Sequence, residues 1–226
     1  MARASTTAAP GEAPRGFTPD RSQFVRIWRV IVLACLLPLV WLIVGAWRDT
    51  LGANPIETIT RATGDWTLRM LLLTLAVTPL RQLTGWHWLV RLRRTLGLCT
   101  FFYASLHLLI YLWLDQFFEF DGIVKDIIDR PFITIGFGAF VLMLPLAATS
   151  SNGMIRRLGG RAWQRLHRVV YAVGVLGVAH YWWLVKKDIT EPVIYALVLG
   201  ALFGVRIWHT RRQRSALRAH AATLTA

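Results

Sequence analysis

Apolar residues in this chain neither alternate nor recur only at every third or fourth position. They come in six long, nearly unbroken stretches, separated by short connections that carry most of the charge. The stretches run approximately over residues 30–47, 66–80, 95–114, 132–148, 169–185 and 192–207. Crossing about 30 Å of hydrocarbon at about 1.5 Å per residue takes roughly 20 mainly apolar residues in a helix. The runs lack the two-residue period of a membrane barrel strand, so helix is the spanning structure they predict. The second is the shortest and carries Arg69 near its start, where a long side chain would snorkel toward the interface. The expected fold is all-α, a polytopic six-helix transmembrane bundle.

Composition supports a membrane class. Of 226 residues 55% are hydrophobic and 17% charged, whereas soluble domains run at about 25% charged. A net charge of +14 would suit a nucleic-acid binder, but the apolar runs between the basic clusters do not, and no nucleic-acid partner is expected.

The charge alternates from one connection to the next. Residues 1–29 hold five Arg and two acids, residues 81–94 four Arg, and residues 149–168 and 206–226 five Arg each. The connections between them are different: residues 48–65 have two Arg and three acids, residues 115–130 two basic and five acidic groups, and residues 186–191 two of each. By the positive-inside rule both termini and the two basic loops are cytoplasmic, which requires an even number of spans. The expected organisation is a disordered tail over 1–22, a transmembrane domain over 23–210 and a basic cytoplasmic tail over 211–226. The first apolar segment exceeds a signal-peptide core and reads as a retained anchor. The acidic loop 115–130, with Asp115, Glu119, Asp121, Asp126 and Asp129, is the largest element on the opposite side. It reads either as a solvated loop or as a docking surface.

Cys35 and Cys99, far apart in sequence, read as small buried hydrophobes. No Gly-rich phosphate loop, HExxH or GxSxG motif is present. Chemistry is therefore sought among the histidines. His87, His209 and His220 fall in basic connections and read as solvated. His107 and His180 fall inside the third and fifth stretches, where an ionisable group is costly and marks function. His107 lies 13 residues after Arg94 and His180 lies 12 after Arg168, rises of about 19.5 and 18 Å along parallel helices. Two imidazoles at one depth suit axial ligation of a haem iron. Zinc is disfavoured, since no further ligand lies at that level.

His167 precedes His180 by 13 residues, which turns the side chain by about 220° on an ideal helix. No histidine stands at its depth on the third stretch. It reads as a ligand to a second haem with another axial partner, as a flavin contact, or as an interfacial residue. Arg165 and Arg168 flank it and suit phosphate or propionate groups. Arg156 and Arg157 read as topology determinants.

The segments RRTLGLCTFFYASLHLLIYLWLD (residues 93–115) and RRLGGRAWQRLHRVVYAVGVLGVAHYWWLVK (residues 156–186) closely resemble the MsrQ family. These are the haem-binding membrane subunits of bacterial periplasmic methionine-sulfoxide reductase systems, in the ferric-reductase-like transmembrane group. The resemblance implies one or two b-type haems and FMN, with His107, His167 and His180 on the haem-associated positions. It implies location in the bacterial inner membrane. It also implies transfer of electrons from the quinone pool or reduced flavin to a periplasmic molybdenum-containing reductase that repairs oxidised methionine. Such a chain is a redox subunit with no bond-making catalytic residue of its own. Because only about 20 residues follow the last stretch, donor and acceptor are expected on separate proteins. The competing expectations are a transmembrane ferric or quinone reductase with another acceptor, and a cofactor-free transporter whose histidines relay protons.

Overall fold

The computed structural model describes residues 17–185 and 187–224. The expected disordered tail over 1–22 lies largely outside the described residues. Of that segment, Asp20 caps the first helix, accepting from the Gln23 amide at 2.7 Å while the Gln23 side chain returns a bond to the Asp20 amide. This reciprocal box fixes a helix start at Arg21. The Gln23 amide foremost, and then the Ser22 hydroxyl donating at 2.8 Å, hold the Asp20 carboxyl below its usual range.

Nine α-helices follow among the described residues, with no strand. They are α1 (Arg21–Trp47), α2 (Pro55–Thr84), α3 (Val90–Ile110), α4 (Phe120–Asp129), α5 (Pro131–Ala148), α6 (Asn152–Leu158), α7 (Gly160–His167), α8 (Val170–Leu184) and α9 (Thr190–Leu224). A 3₁₀ turn over His87–Leu89 leads into α3, and a π-helical turn over Tyr111–Asp115 ends it. Among the described residues, four helical segments are long and apolar enough to cross a membrane: Arg21–Trp47, His87–Asp115, Pro131–Ala148 and Thr190–Arg218. The two remaining apolar stretches coincide with α2, which carries Asp65 and Arg69, and with α8, which is only 15 residues long.

Helix α2, less apolar than α1, α3 and α5, is the best buried. Leu68, Met70, Leu71, Leu72, Thr74, Leu75, Val77 and Pro79 of α2 are all buried, and α2 packs against α3, α8 and α9. A helix sheathed by protein can carry polar side chains that a lipid-facing helix cannot. Arg69 is held inside the bundle, its Nε donating to the Tyr195 hydroxyl of α9 at 2.9 Å and its guanidinium lying 5.0 Å over the Trp66 ring. This replaces the snorkelling expected from sequence. Small residues on α8 allow close approach: a Cβ on Gly174 would stand 3.2 Å from Leu75 and 3.4 Å from Leu199. By contrast α1 exposes Leu33, Leu37, Trp41 and Ile43, as a lipid-facing helix does.

Cys35 of α1 is buried and Cys99 of α3 partly buried, both as free thiols, in keeping with their reading as small apolar residues. Although distant in the chain, they pack in one cluster with Met70 and Tyr103, and the Cys35 thiol donates to the Met70 sulfur at 3.8 Å. Another element departs from the sequence reading. The acidic stretch 115–130 is mostly helix rather than loop. Phe117 and Phe118 take left-handed φ values of 46° and 59° in the turn before α4, a conformation costly for side chains of this size. Asp126 locks that turn, accepting from Gln116 Nε2 at 2.8 Å and from the Tyr111 hydroxyl at 3.1 Å and pairing with Arg130 at 3.2 Å. Phe117, Phe118, Phe120 and Ile128 stay exposed, so this element is amphipathic and not simply solvated. At the other terminus, helix α9 runs through the expected basic tail to Leu224.

Tyr103 is fully buried, and its hydroxyl donates to the Cys35 carbonyl at 2.7 Å. That carbonyl lies in the turn loosened by Pro38, whose ring removes an amide donor from α1. Tyr103→Phe is expected to cost about 1 kcal/mol of unfolding free energy, the net value of one such bond, and Tyr103→Ala about 3 kcal/mol or more. Unfolding in mixed detergent followed by circular dichroism measures both, and equal midpoints for wild type and Tyr103→Phe would deny the hydroxyl a role.

Candidate functional site

His107 on α3 and His180 on α8 meet in the bundle, with ring centroids 6.4 Å apart and ring planes at 75°. Neither ring is free to turn. His107 Nδ1 lies 3.0 Å from the Thr60 carbonyl of α2 and 3.4 Å from the Thr63 hydroxyl. That hydroxyl already donates to the Ile59 carbonyl at 2.8 Å, so Nδ1 carries the proton and donates to Thr60. His180 Nδ1 lies 2.6 Å from the Phe132 carbonyl of α5 and donates to it in the same way. In each ring the proton on Nδ1 leaves Nε2 with an uncommitted lone pair.

The two tethers share one construction. A helical carbonyl is normally covered by its own ladder and by the side chain four residues on. Here the residue four after Thr60 is Gly64 and the residue four after Phe132 is Gly136. A Cβ on Gly64 would come within 3.1 Å of His107 Cε1, and one on Gly136 within 2.8 Å of His180 Nδ1 and 2.9 Å of its Cε1. The missing side chains open the carbonyls and make room for the rings. The helix pairs α2 with α3 and α5 with α8 each supply one tethered imidazole. Sequence reasoning found both histidines but missed Thr60, Gly64, Phe132 and Gly136. The available signal was a glycine inside an apolar helix, at the level of each histidine.

This arrangement fits a haem. Two metal–imidazole bonds of about 2.0 Å, plus roughly 1.1 Å from each nitrogen to its ring centre, span about 6.2 Å, against the 6.4 Å observed. Backbone-tethered Nδ1 groups are the usual outer support of metal-ligating histidines. Among the described residues no three His, Cys, Asp or Glu groups converge as a metal site. Any iron here would therefore draw its other ligands from a macrocycle.

His167, at the end of α7, stands apart from this pair. Its ring stacks on Trp163 at 4.0 Å, and Nε2 lies 3.0 Å from the Thr149 hydroxyl. Trp163 Nε1 donates to the Thr149 carbonyl at 2.9 Å, closing the group. Burial first, and then the charge of Arg93, holds the His167 imidazole below its usual pKa. No second histidine faces it among the described residues. Arg165 and Arg168 are exposed and form no ion pair among the described residues. The structure does not bring them to the His107–His180 pair.

The family model for the ferric reductase like transmembrane component matches residues 63–178, a range that includes His107 and His167 and stops two residues before His180. The chain is 58% identical over 192 residues to the protein-methionine-sulfoxide reductase heme-binding subunit MsrQ of Azospira oryzae, covering 84% of this chain and 82% of that protein. It is 51% identical to the protein of the same description from Herminiimonas arsenicoxydans, covering 89% and 94% of the two chains. With that from Ralstonia nicotianae the identity is 55%, over 86% and 90%. A likeness of this depth along most of both chains, together with the transmembrane model match, establishes that the chain belongs to the MsrQ family of the ferric-reductase-like transmembrane group.

Proposed function

We propose that this protein is the haem-bearing electron conduit of a periplasmic methionine-sulfoxide reductase system. The observation that carries the reading is the pair of imidazoles 6.4 Å apart with both Nδ1 groups tied back to main-chain carbonyls. His107 and His180 would hold a b-type haem through Nε2. When bound, that group supplies one-electron storage within the bilayer. The residues orient: Thr60 and Phe132 fix the ring planes and tautomers, Gly64 and Gly136 clear the space, and the surrounding apolar side chains exclude water.

Six spans, with α2 and α8 added to the four long apolar helices, reproduce the alternation of basic and acidic connections and put both termini in the cytoplasm of a bacterial inner membrane. His107 and His180 then sit in the periplasmic half. Electrons enter at the cytoplasmic side from the quinone pool or from a flavin reductase, and leave to a molybdenum-containing reductase in the periplasm. Reduction of a methionine sulfoxide to the thioether and water consumes two electrons and two protons, so this subunit delivers two single electrons per repair. FMN, and a second haem at His167, belong to the cytoplasmic half, where one haem near the periplasm leaves the path unbridged. A proton relay through the histidines is less well supported, because a relay uses both ring nitrogens and Nδ1 is committed here to a backbone carbonyl.

Purified wild type is expected to show a reduced-minus-oxidised b-type spectrum that is lost, with its haem, in His107→Ala and in His180→Ala. A Soret band unchanged in both variants would sink the ligand assignment. Gly136→Ala should weaken haem retention about tenfold, as loss of an outer-shell support does. Gly138→Ala, where a Cβ meets nothing within 4 Å, should leave it unchanged, and haem loss during gel filtration compares the two. Co-reconstituted in vesicles with a periplasmic methionine-sulfoxide reductase, wild type should pass electrons from a reduced quinone or flavin to a sulfoxide substrate. His180→Ala should fall to the rate of protein-free vesicles.

A further inference from the structure

Helix α4 is 10 residues long, about 15 Å at about 1.5 Å per residue, and too short to cross about 30 Å of hydrocarbon. It cannot leave the level at which its neighbours end. Four residues, 116–119, separate it from the π-helical turn that closes the α3 segment, and Arg130 alone separates it from Pro131 at the start of α5. Both of those segments are long and apolar enough to cross a membrane. The Ile127 carbonyl also receives the Thr134 hydroxyl of α5. A short helix fastened at both ends to two spans is confined to the membrane boundary.

Its side chains divide into three flanks at about 100° per residue. Ile123, Asp126 and Ile127 form the first, half-buried against the bundle, with Asp126 bonded to Tyr111 and Gln116. Phe120, Val124 and Ile128 form the second, one turn apart, and stand open: Phe120 is 75% exposed and Ile128 73%. Asp121, Lys125 and Asp129 form the third and are exposed too. Water alone gives no reason for two open flanks to be sorted into one apolar and one charged, whereas a boundary between hydrocarbon and water does.

The turn before α4 points the same way. Phe117 and Phe118 hold left-handed φ values of 46° and 59° and yet stay 73% and 58% exposed. Strain of this kind persists where it serves a function, and packing inside the protein is not what these rings supply. Trp113, in the last turn of the α3 segment, is 58% exposed as well, at the end of a span where interfacial aromatics gather. The open aromatic surface thus begins on the span itself, which favours lipid over a separate protein as its cover.

We propose that α4 is an interfacial helix seated on the bilayer surface at the end where α3 leaves it, with Phe120, Val124 and Ile128 at the boundary of headgroups and acyl chains and Asp121, Lys125 and Asp129 in water. The inference rests on reading α3 and α5 as spans and goes beyond it. Two acids to one base on the water flank, with Asp115 and Glu119 exposed nearby, leave no attraction for anionic headgroups. The seat is therefore apolar, and a zwitterionic bilayer suffices. Asp126 ties it to Tyr111, one turn beyond His107, so the bilayer surface sets the depth of that histidine.

The full-length, haem-loaded protein in phosphatidylcholine nanodiscs tests this. Phe120→Cys, Val124→Cys, Lys125→Cys and, at an exposed position of α5, Val141→Cys are each labelled with an environment-sensitive fluorophore. Wild type, with Cys35 buried and Cys99 partly buried, gives the labelling background, and an unchanged Soret band certifies that each variant is folded. Labels at the Phe120 and Val124 positions should emit to the blue of the label at Lys125 and lose fluorescence to a nitroxide near the headgroup end of the lipid chain. The label at Lys125 should lose it instead to aqueous iodide. Added salt should leave the nitroxide quenching unchanged, as an apolar seat requires. The label at Val141 should answer to a nitroxide deeper in the chain; if it answers only to iodide, the reading of α5 as a span fails and the proposal with it. If Val141 is quenched from the lipid while Phe120 and Val124 answer to iodide, the span stands and the interfacial seat is overturned. It is overturned equally if those two positions are shielded from iodide only after a periplasmic methionine-sulfoxide reductase is added, which makes the flank a protein-docking surface.

Discussion

Two hydrogen bonds from imidazole Nδ1 to main-chain carbonyls are the constraint on which the centre of this molecule depends. An unpaired imidazole inside an apolar bundle is costly in either protonation state, and a side-chain acceptor would itself need burial and a partner. A helical carbonyl avoids that cost, because its main bond is already made and its second lone pair is available. The condition is that nothing covers it, which is why a glycine stands four residues after each acceptor. Tautomer, ring plane and helix spacing follow together from one local device used twice.

The device also explains why α2 is less apolar than α1, α3 and α5 and yet the most enclosed. It must offer the Thr60 carbonyl to α3, receive Tyr195 on Arg69 and still pack against α8 and α9. Its threonines satisfy their hydroxyls on their own helix, as Thr60 does on Ile56, Thr67 on Thr63 and Thr74 on Met70, each at 2.8 Å. Polar groups closed on themselves add no demand on the surroundings. Lipid contact falls instead to α1 and the outer face of α9, whose leucines, isoleucines and tryptophans are exposed.

How much of this was legible in the sequence depends on what kind of group carries each feature. The helices follow from uninterrupted apolar runs, and His107 and His180 stand out because ionisable residues within such runs are rare. Counting from Arg94 and Arg168 brings them to one depth, and their rings do meet. The tethers were not legible, since their acceptors are main-chain atoms and no side chain at Thr60 or Phe132 announces them. The shared cluster of Cys35 and Cys99 was hidden by the 63 residues between them, because helix packing rather than chain distance decides contact. Helix α4 was masked by its acids, which drew attention to charge and away from the apolar face formed by Phe120, Val124 and Ile128.

The division of the site between two helix pairs bears on how the protein is made. Helices α2 and α3 leave the ribosome well before α5 and α8, so the first imidazole can be tethered while the second is still unsynthesised. Each half is a complete hydrogen-bonded unit that tolerates waiting, since its histidine is already satisfied through Nδ1. A ligand that needs both Nε2 atoms can be gripped only after α8 has docked. Its capture would then join two helix pairs, α2 with α3 and α5 with α8, that otherwise share only side-chain packing.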